Sequence, residues 1–273
     1  MERYEEIEKT IVKTYRKEIW KRFIKGITEY EMIKEGDKIA VCISGGKDSM
    51  LLAKCFQELK KHKKMNFDVE FIVMNPGYNE RNKEKIIENA KLLNVPIKMF
   101  ETDIFNRVVN IEDSPCYLCA RMRRGYLYEN AKALGCNKIA LGHHFNDVIE
   151  TIVMGMFYGA QMQTMMPKVC STSHPGMELI RPLYFVKEED IIRWRDKNKL
   201  EFIECACRFT ENYENQKGTS KREEMKILIK KLCEDYENVD VNIFNSVQNV
   251  NLDTIISYHK NGKTHHFLDD YKL

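Results

Sequence analysis

Apolar residues recur every four positions at the start of the chain: Ile7, Ile11, Tyr15, Ile19, Phe23 and Ile27, set among Lys, Arg and Glu. One apolar stripe on a charged cylinder predicts a helix over residues 4–33, packed on a domain behind it or, as the alternative, reaching for a partner. The pattern then changes. Apolar runs at residues 38–43, 69–74, 97–101 and 138–142 predict four strands. Amphipathic stretches after them predict helices: one opening near Met50, then residues 81–93, 121–134 and 147–157. Gly135 falls just past the end of the third of these. Strand and helix in alternation predict an α/β fold, a parallel sheet covered on both faces. Residues 162–176, rich in Met, Pro, Thr and Ser, show no period and read as an irregular segment beside the site or as a long surface connection. Residues 187–199 predict a polar helix, and Glu201-Phe202-Ile203 an edge strand. Residues 221–235 predict a helix with Met225, Leu228, Ile229 and Leu232 at core spacing. The chain past Asp240 is weakly patterned and reads as a tail docked on the body. The expected division is residues 1–35, 36–200 and 201–273.

The junction after the first strand carries the most pointed chemistry. Ser44-Gly45-Gly46-Lys47-Asp48-Ser49 separates the apolar run ending at Ile43 from the helical run starting at Met50. A helix that opens straight out of a strand presents unpaired backbone N–H groups and the positive end of its dipole. Two glycines let an anion approach the backbone, while Ser44, Ser49 and Lys47 add hydroxyl and ammonium donors. Such a loop suits phosphate. Its spacing is not that of the Walker loop, which needs four residues between its first and second glycines. In parallel sheets ligands gather beyond the carboxyl ends of the strands, where this loop lies. A second junction follows at Leu141-Gly142-His143-His144-Phe145-Asn146-Asp147. Asp147 is placed to hold a Mg²⁺ that bridges phosphates, with Asp48 the other candidate, because hard cations take carboxylate oxygens. Alone, Asp147 would read as a capping acid and the two histidines as structural.

Composition narrows the setting. The 273 residues make one large domain or one domain with appendages, and 43% hydrophobic residues supply a core. Mean hydropathy is negative and no long apolar run appears, so no membrane span is expected. The start, Met1-Glu2-Arg3-Tyr4-Glu5-Glu6, is charged and lacks a signal-peptide core, so a cytoplasmic protein is expected. A net charge of +3 does not by itself imply nucleic acid. Nine cysteines in such a chain point to a reducing compartment and to metal or catalytic roles ahead of disulfides. Cys116 and Cys119 form a C-x-x-C, which serves as a redox pair, half a zinc site or part of an iron–sulfur site. Cys205-Ala206-Cys207 lies far downstream. Cys42, Cys55, Cys136, Cys170 and Cys233 read as small buried hydrophobes.

Residues 44–49 resemble the pyrophosphate loop of ATP pyrophosphatases, which split ATP into AMP and pyrophosphate. Residues 141–151 resemble their second signature, with Asn146 where the first of two acids usually stands. Together with residues 115–125, Met156-Phe157-Tyr158-Gly159, Arg181-Pro182-Leu183, and residues 31–37 and 244–250, the whole chain resembles, in order, the tRNA 2-thiocytidine synthetase family. The resemblance implies a Rossmann-like ATP pyrophosphatase domain of the adenine nucleotide alpha hydrolase type, with an N-terminal helix and a helical C-terminal region. It implies an enzyme that replaces the C2 oxygen of cytidine 32 in tRNA with sulfur, using ATP, Mg²⁺ and a 4Fe–4S cluster. Ser44, Gly45, Gly46, Lys47, Asp48, Ser49, Met74, Gly142, His143 and Asp147 would then hold the nucleotide, with Lys47, Asp48 and Asp147 catalytic. Cys116 and Cys119 would bind the cluster. The third ligand is expected at Cys205, with Cys207 the alternative, because the family commonly spaces this pair C-x-x-C. Arg121, Arg123 and Arg124, and Lys217, Lys221 and Arg222, flank the cysteines and are expected to meet tRNA phosphates. The resemblance further implies a sulfur donor, either a cysteine desulfurase or sulfide, and a homodimer. Sulfur carried as hydrosulfide on an iron and sulfur carried as a cysteine persulfide both remain open. So do thiolation of another tRNA base or a small heterocycle, a cluster-free amide- or lysidine-forming ligase, and a nucleotide sensor without turnover.

Overall fold

A computed structural model describes residues 2–63, 65–105, 115–203 and 220–271, with the backbone alone at 115–117. The N-terminal stripe does not lie on one α-helix. It runs along α1 (Arg3–Lys9), two π-helical segments, Thr10–Thr14 and Arg16–Trp20, and α2 (Lys21–Glu29). The cause is geometric. On an α-helix of about 3.6 residues per turn, a four-residue repeat drifts by about 40° at each step. The wider π turns absorb that drift and keep the stripe on one side. Ile7, Ile11, Ile19 and Phe23 are fully buried. The Phe23 ring meets Phe56 edge-on at 5.8 Å, and Arg22 pairs with Asp190 at 2.9 Å. The stripe is spent against the body of the chain, so it forms neither a partner-binding arm nor a free dimer face.

The run Lys38–Ile43 forms β1, buried at five of its six positions. Burial on both faces is what a continuous apolar run in a central parallel strand requires. β1 pairs in parallel with β2 (Asp68–Asn75), and β2 with β3 (Ile97–Glu101). On its other side β1 pairs in parallel with β4 (Lys138–Ala140). β5 (Lys168–Cys170) and β6 (Glu178–Ile180) complete the order β3-β2-β1-β4-β6-β5; β6 is parallel to β4 and β5 antiparallel to β6. Strand succession reverses between β1 and β4, so the loops leaving their carboxyl ends part there and open a crevice. The helices α3 (Lys47–Lys61), α4 (Glu80–Leu92), α5 (Pro115–Ala133), α6 (Phe145–Gly159) and α7 (Glu188–Lys197) follow strands as the alternating pattern predicts.

Three local expectations are corrected. The irregular stretch 162–176 contains β5, too short to show a period. Residues 201–203 pair with no strand; Phe202 stacks on Trp194 at 6.3 Å, and Asn89 Nδ2 donates to the Glu201 carbonyl at 2.9 Å. Helix α5 begins at Pro115, not beyond the C-x-x-C, so both cysteines lie in its first turns.

The chain divides into two compact units, Met1–Val148 with Met165–Ser220, and Ile149–Thr164 with Lys221–Leu273. The first holds the six-stranded sheet and the N-terminal helices. The second holds α8 (Lys221–Asp235), α9 (Val239–Ser246) and a hairpin of β7 (Ser257–Lys260) and β8 (Lys263–His266). The last stretch is thus structured and not a simple tail. No helix among the described residues is long and apolar enough to cross a membrane.

Candidate active site

The loop after β1 is folded by its own serines. Ser49 Oγ donates to the Gly46 carbonyl at 2.9 Å and accepts from the Ser44 amide and hydroxyl at 3.2 Å each. Gly46 caps α3 in an extended conformation. Gly45 takes φ +88°, and a Cβ there would lie 2.5 Å from Ile86 Cγ1 and 2.7 Å from Ile203 Cδ1. Gly142 serves the second junction: its missing side chain lets the end of β4 approach the loop, since a Cβ would lie 3.0 Å from the Ser49 nitrogen and 3.1 Å from the Asp48 carbonyl carbon. Beyond it, Asp147 Oδ2 accepts from the His144 amide at 2.9 Å, which is the capping interaction expected of an acid in a first helical turn. Asn146 Oδ1 accepts from the Glu188 amide at 2.9 Å and so ties α6 to the start of α7.

These junctions wall a cavity of about 380 Å³. Of the sequence-predicted nucleotide residues, Ser44, Asp48, Ser49, Met74, Gly142, His143 and Asp147 line it. Gly45, Gly46 and Lys47 do not; the glycines shape the loop, and the Lys47 ammonium lies 3.1 Å from Glu188 Oε1 and 3.3 Å from Asp48. His144, also outside the lining, is buried between the carboxylates, its Nε2 3.8 Å from Asp48 Oδ1 and its Nδ1 3.5 Å from Asp147 Oδ2. Asp48 Oδ1 is buried with no hydrogen bond. A buried carboxylate oxygen held by an ion pair with Lys47 but by no hydrogen bond, with a second carboxylate on the same cavity, is a donor set that fits a hard divalent cation.

Helix α5 closes the cavity with Ala120, Arg123, Arg124 and Leu127. Cys119, one residue before Ala120, is buried in a cluster with Met74, Ile104 and Phe105. Cys116 belongs to the same helix three residues earlier, its side chain lying outside the described atoms. A buried thiol at Cys119, adjoining the cavity-lining Ala120, fits one ligand of a cluster site. Cys205, Cys207 and Lys217 lie outside the described residues. Ile203, the last described residue before them, abuts Gly45. Among the described residues, no three His, Cys, Asp or Glu side chains gather as a metal site.

The two basic groups fare differently. Arg123 and Arg124 face the cavity, the Arg123 guanidinium also lying 5.3 Å over the Phe105 ring, while Arg121 is exposed and outside the lining. Lys221 and Arg222 belong to the second unit. There Arg222 reaches Glu150 and Thr151 at 3.4 Å, and Lys221 sits 4.8 Å over Tyr158.

Sequence reasoning missed Tyr78, His144, Glu188 and Arg181. Tyr78 lines the cavity from the turn after β2, where Asn75 Oδ1 accepts from the amides of Gly77 and Tyr78; the Asn-Pro-Gly turn at a strand's carboxyl end was the available signal. Arg181 is buried and donates to the Met166 carbonyl. Burial first, and then the neighbouring Arg124, hold its guanidinium down to about 10. Its Arg-Pro-Leu context had marked it only as part of a pattern.

The sequence matches the PP-loop domain family over residues 12–217. It is 39% identical over 197 residues to a tRNA-cytidine(32) 2-sulfurtransferase of Aeromonas salmonicida (strain A449), covering 70% of this chain and 64% of that protein. The chain thus spans under two thirds of that curated relative's length. A tRNA-cytidine(32) 2-sulfurtransferase of Paracidovorax citrulli (strain AAC00-1) is 34% identical over 250 residues, covering 89% of this chain and 76% of that protein. Among solved structures, the fold is similar to that of the U34-tRNA thiolase NcsA from Methanococcus maripaludis, determined with its 4Fe-4S cluster. The TM-score is 0.65 at 19% identity, over 84% of this chain and 76% of that one.

Proposed function

The chain belongs to the PP-loop family and, within it, to the tRNA-cytidine(32) 2-sulfurtransferase family; from that premise we propose that it is an ATP-dependent enzyme that replaces the C2 oxygen of cytidine 32 in tRNA with sulfur. One observation supports this above the rest: the phosphate-directed loop and the cysteine-bearing helix α5 wall the same cavity. A pyrimidine C2 oxygen is amide-like, and oxide is a very poor leaving group. Attack of that oxygen on the ATP α-phosphate makes an adenylated base and expels pyrophosphate. Sulfide attack at C2 then expels AMP.

In this reading the chain's contribution is electrostatic and positional. Ser44, Ser49 and the amides opening α3 hold the phosphates. Asp48 and Asp147 would hold Mg²⁺, which would supply positive charge against the negative charge of the leaving pyrophosphate. Arg123 and Arg124 supply positive charge on the α5 wall, toward the nucleotide or the tRNA backbone. Cys116, Cys119 and Cys205 would hold a 4Fe–4S cluster, which when bound would supply an iron site able to carry sulfur. The sulfur comes from sulfide or a cysteine desulfurase.

The test is an anaerobic reaction with ATP, Mg²⁺, sulfide and unmodified tRNA, followed by pyrophosphate release and mass spectrometry of the digested nucleosides. Release that depends on tRNA, with 2-thiocytidine as product, is expected. Pyrophosphate release indifferent to tRNA, or cytidine left unthiolated, overturns the proposal.

A further inference from the structure

We propose that Glu188 is a positioning residue for the divalent cation: it shares the Lys47 ammonium with Asp48, and so loosens that ion pair enough for the carboxylate to exchange the ammonium for the metal. The inference rests on the nucleotide reading above and adds a residue to it. Lys47 opens α3 and is followed directly by Asp48, so its long side chain always has a carboxylate within reach. A lysine ammonium is a compact charge on a flexible stem, and it goes to whatever anion is nearest. Here it sits between two, 3.1 Å from Glu188 Oε1 and 3.3 Å from Asp48. All three side chains are well shielded, at 19%, 15% and 28% exposure for Lys47, Glu188 and Asp48, so the pairing is screened less than a surface one.

Glu188 is not placed by chance. It is the first residue of α7, and its amide is held by Asn146 Oδ1 at 2.9 Å. Asn146 adjoins Asp147, so the junction that presents one cavity carboxylate also anchors the group that relieves the other. Asp48 Oδ1 is buried and makes no hydrogen bond, its contacts being the Lys47 ammonium at 3.3 Å and His144 Nε2 at 3.8 Å, so a cation would take it by displacing a shared ammonium. If the Glu188 charge is removed, Asp48 is left as the carboxylate of this group for Lys47, and the ammonium, no longer shared, pairs with it more tightly. Metal and ammonium then compete for the same oxygens.

The experiment uses the full chain with Mn²⁺ as the probe, a non-hydrolysable ATP analogue, and electron paramagnetic resonance to count free Mn²⁺. Glu188→Gln keeps size and removes charge. It should weaken Mn²⁺ binding in the presence of the analogue by about tenfold, the size of coupling seen between contacting groups. The analogue alone, without divalent ion, should bind the variant as it binds the parent. In Lys47→Met/Glu188→Gln no ammonium remains to compete, so Mn²⁺ affinity should return above that of the single variant. Unchanged Mn²⁺ affinity in Glu188→Gln overturns the proposal, and so does a double variant as weak as the single one, which would mark a merely structural role. If the parent chain itself binds neither analogue nor Mn²⁺, the nucleotide reading fails, and this inference with it.

Discussion

Alanine substitutions at Gly45 and Gly46 should have unequal effects, although the two glycines are adjacent in the same loop. Gly45 sits at φ +88°, a backbone region that costs a residue with a Cβ about 1–2 kcal/mol. Its Cβ would also lie 2.5 Å from Ile86 Cγ1 and 2.7 Å from Ile203 Cδ1. Ile86 is fully buried, so it has no solvent to swing into. Forcing a methyl into filled core adds about 1–3 kcal/mol. The expected loss for Gly45→Ala is therefore about 2–5 kcal/mol, the sum of the two effects. Gly46 is extended, and a Cβ there would meet only the Ile203 carbonyl oxygen at 3.7 Å and Ser44 Oγ at 3.8 Å, both ordinary contacts. Gly46→Ala gives up the preference of an N-cap for glycine over alanine, about 1 kcal/mol or less. Urea unfolding followed by tryptophan fluorescence reads the difference, because Trp20 and Trp194 are both buried within the sheet-bearing unit. Equal midpoints for the two variants, or a larger loss at Gly46, would refute the reasoning.

Two further predictions concern groups away from the phosphate loop. Burial alone would raise the Asp37 carboxyl, but hydrogen bonds from Asn137, the Lys34 amide and Lys138 outweigh it and hold the group below its ordinary 3.8. Its stabilisation is complete above that unfolded value and is lost as pH falls through the lower folded one. Asp37→Asn should therefore cost about 1–3 kcal/mol at neutral pH and flatten the acid limb of stability; urea midpoints for both chains at pH ~3 and pH ~7 check this, and parallel curves would count against it. Arg181 holds the Met166 carbonyl with its guanidinium and the Pro167 carbonyl with its amide at 2.9 Å. Arg181→Met removes the first donor and should cost about 1–3 kcal/mol, seen as faster proteolytic cleavage near Met166; unchanged cleavage would show that the guanidinium does not hold this segment.

The elements legible in the sequence are those whose pattern reports one physical requirement. β1 and β2 are parallel strands buried along most of their length, which show as apolar runs; β3 is a half-exposed edge strand that still reads as apolar, and the helices follow at the expected places. β5 and β6 have three residues each, too few to display any period. The N-terminal stripe was read correctly as packed, yet its four-residue spacing, which is not an α-helical period, was the sign of the π segments. At residues 201–203 apolar character reflected contact with Trp194, not strand pairing. The hairpin of β7 and β8 is polar and hides from hydrophobic patterning, but Asn261-Gly262 between its strands, both at positive φ, is a strong hairpin signal that went unused. That Ser44, Asp48, Ser49, Met74, Gly142, His143 and Asp147 gather on one cavity was legible because loop chemistry and fold position coincide. His144 and Glu188 were not, since their importance lies in which remote side chain each one meets.

The charges around the cavity argue for an ordered ligand rather than a generic anion. A site meant only to attract phosphate would carry positive charge and no acids. This one sets Asp48 and Asp147 beside the phosphate loop and Arg123 and Arg124 on the α5 wall. Two carboxylates facing a polyphosphate repel it by Coulomb interaction that a partly buried site screens poorly. On the proposed reading a divalent cation turns that repulsion into attraction at one end of the ligand only. The pyrophosphate end is then drawn to the carboxylates, and the end that must meet the base is left to the arginines and the cysteine-bearing helix. Neutralising either acid should therefore do more than lower affinity: it should let the nucleotide bind without its metal and in the wrong register, raising analogue affinity in chelator while abolishing pyrophosphate release. Asp147→Asn tests this by isothermal titration with and without Mg²⁺, and an analogue affinity that falls equally in both conditions would show that the acids serve only to cap and shape the loop.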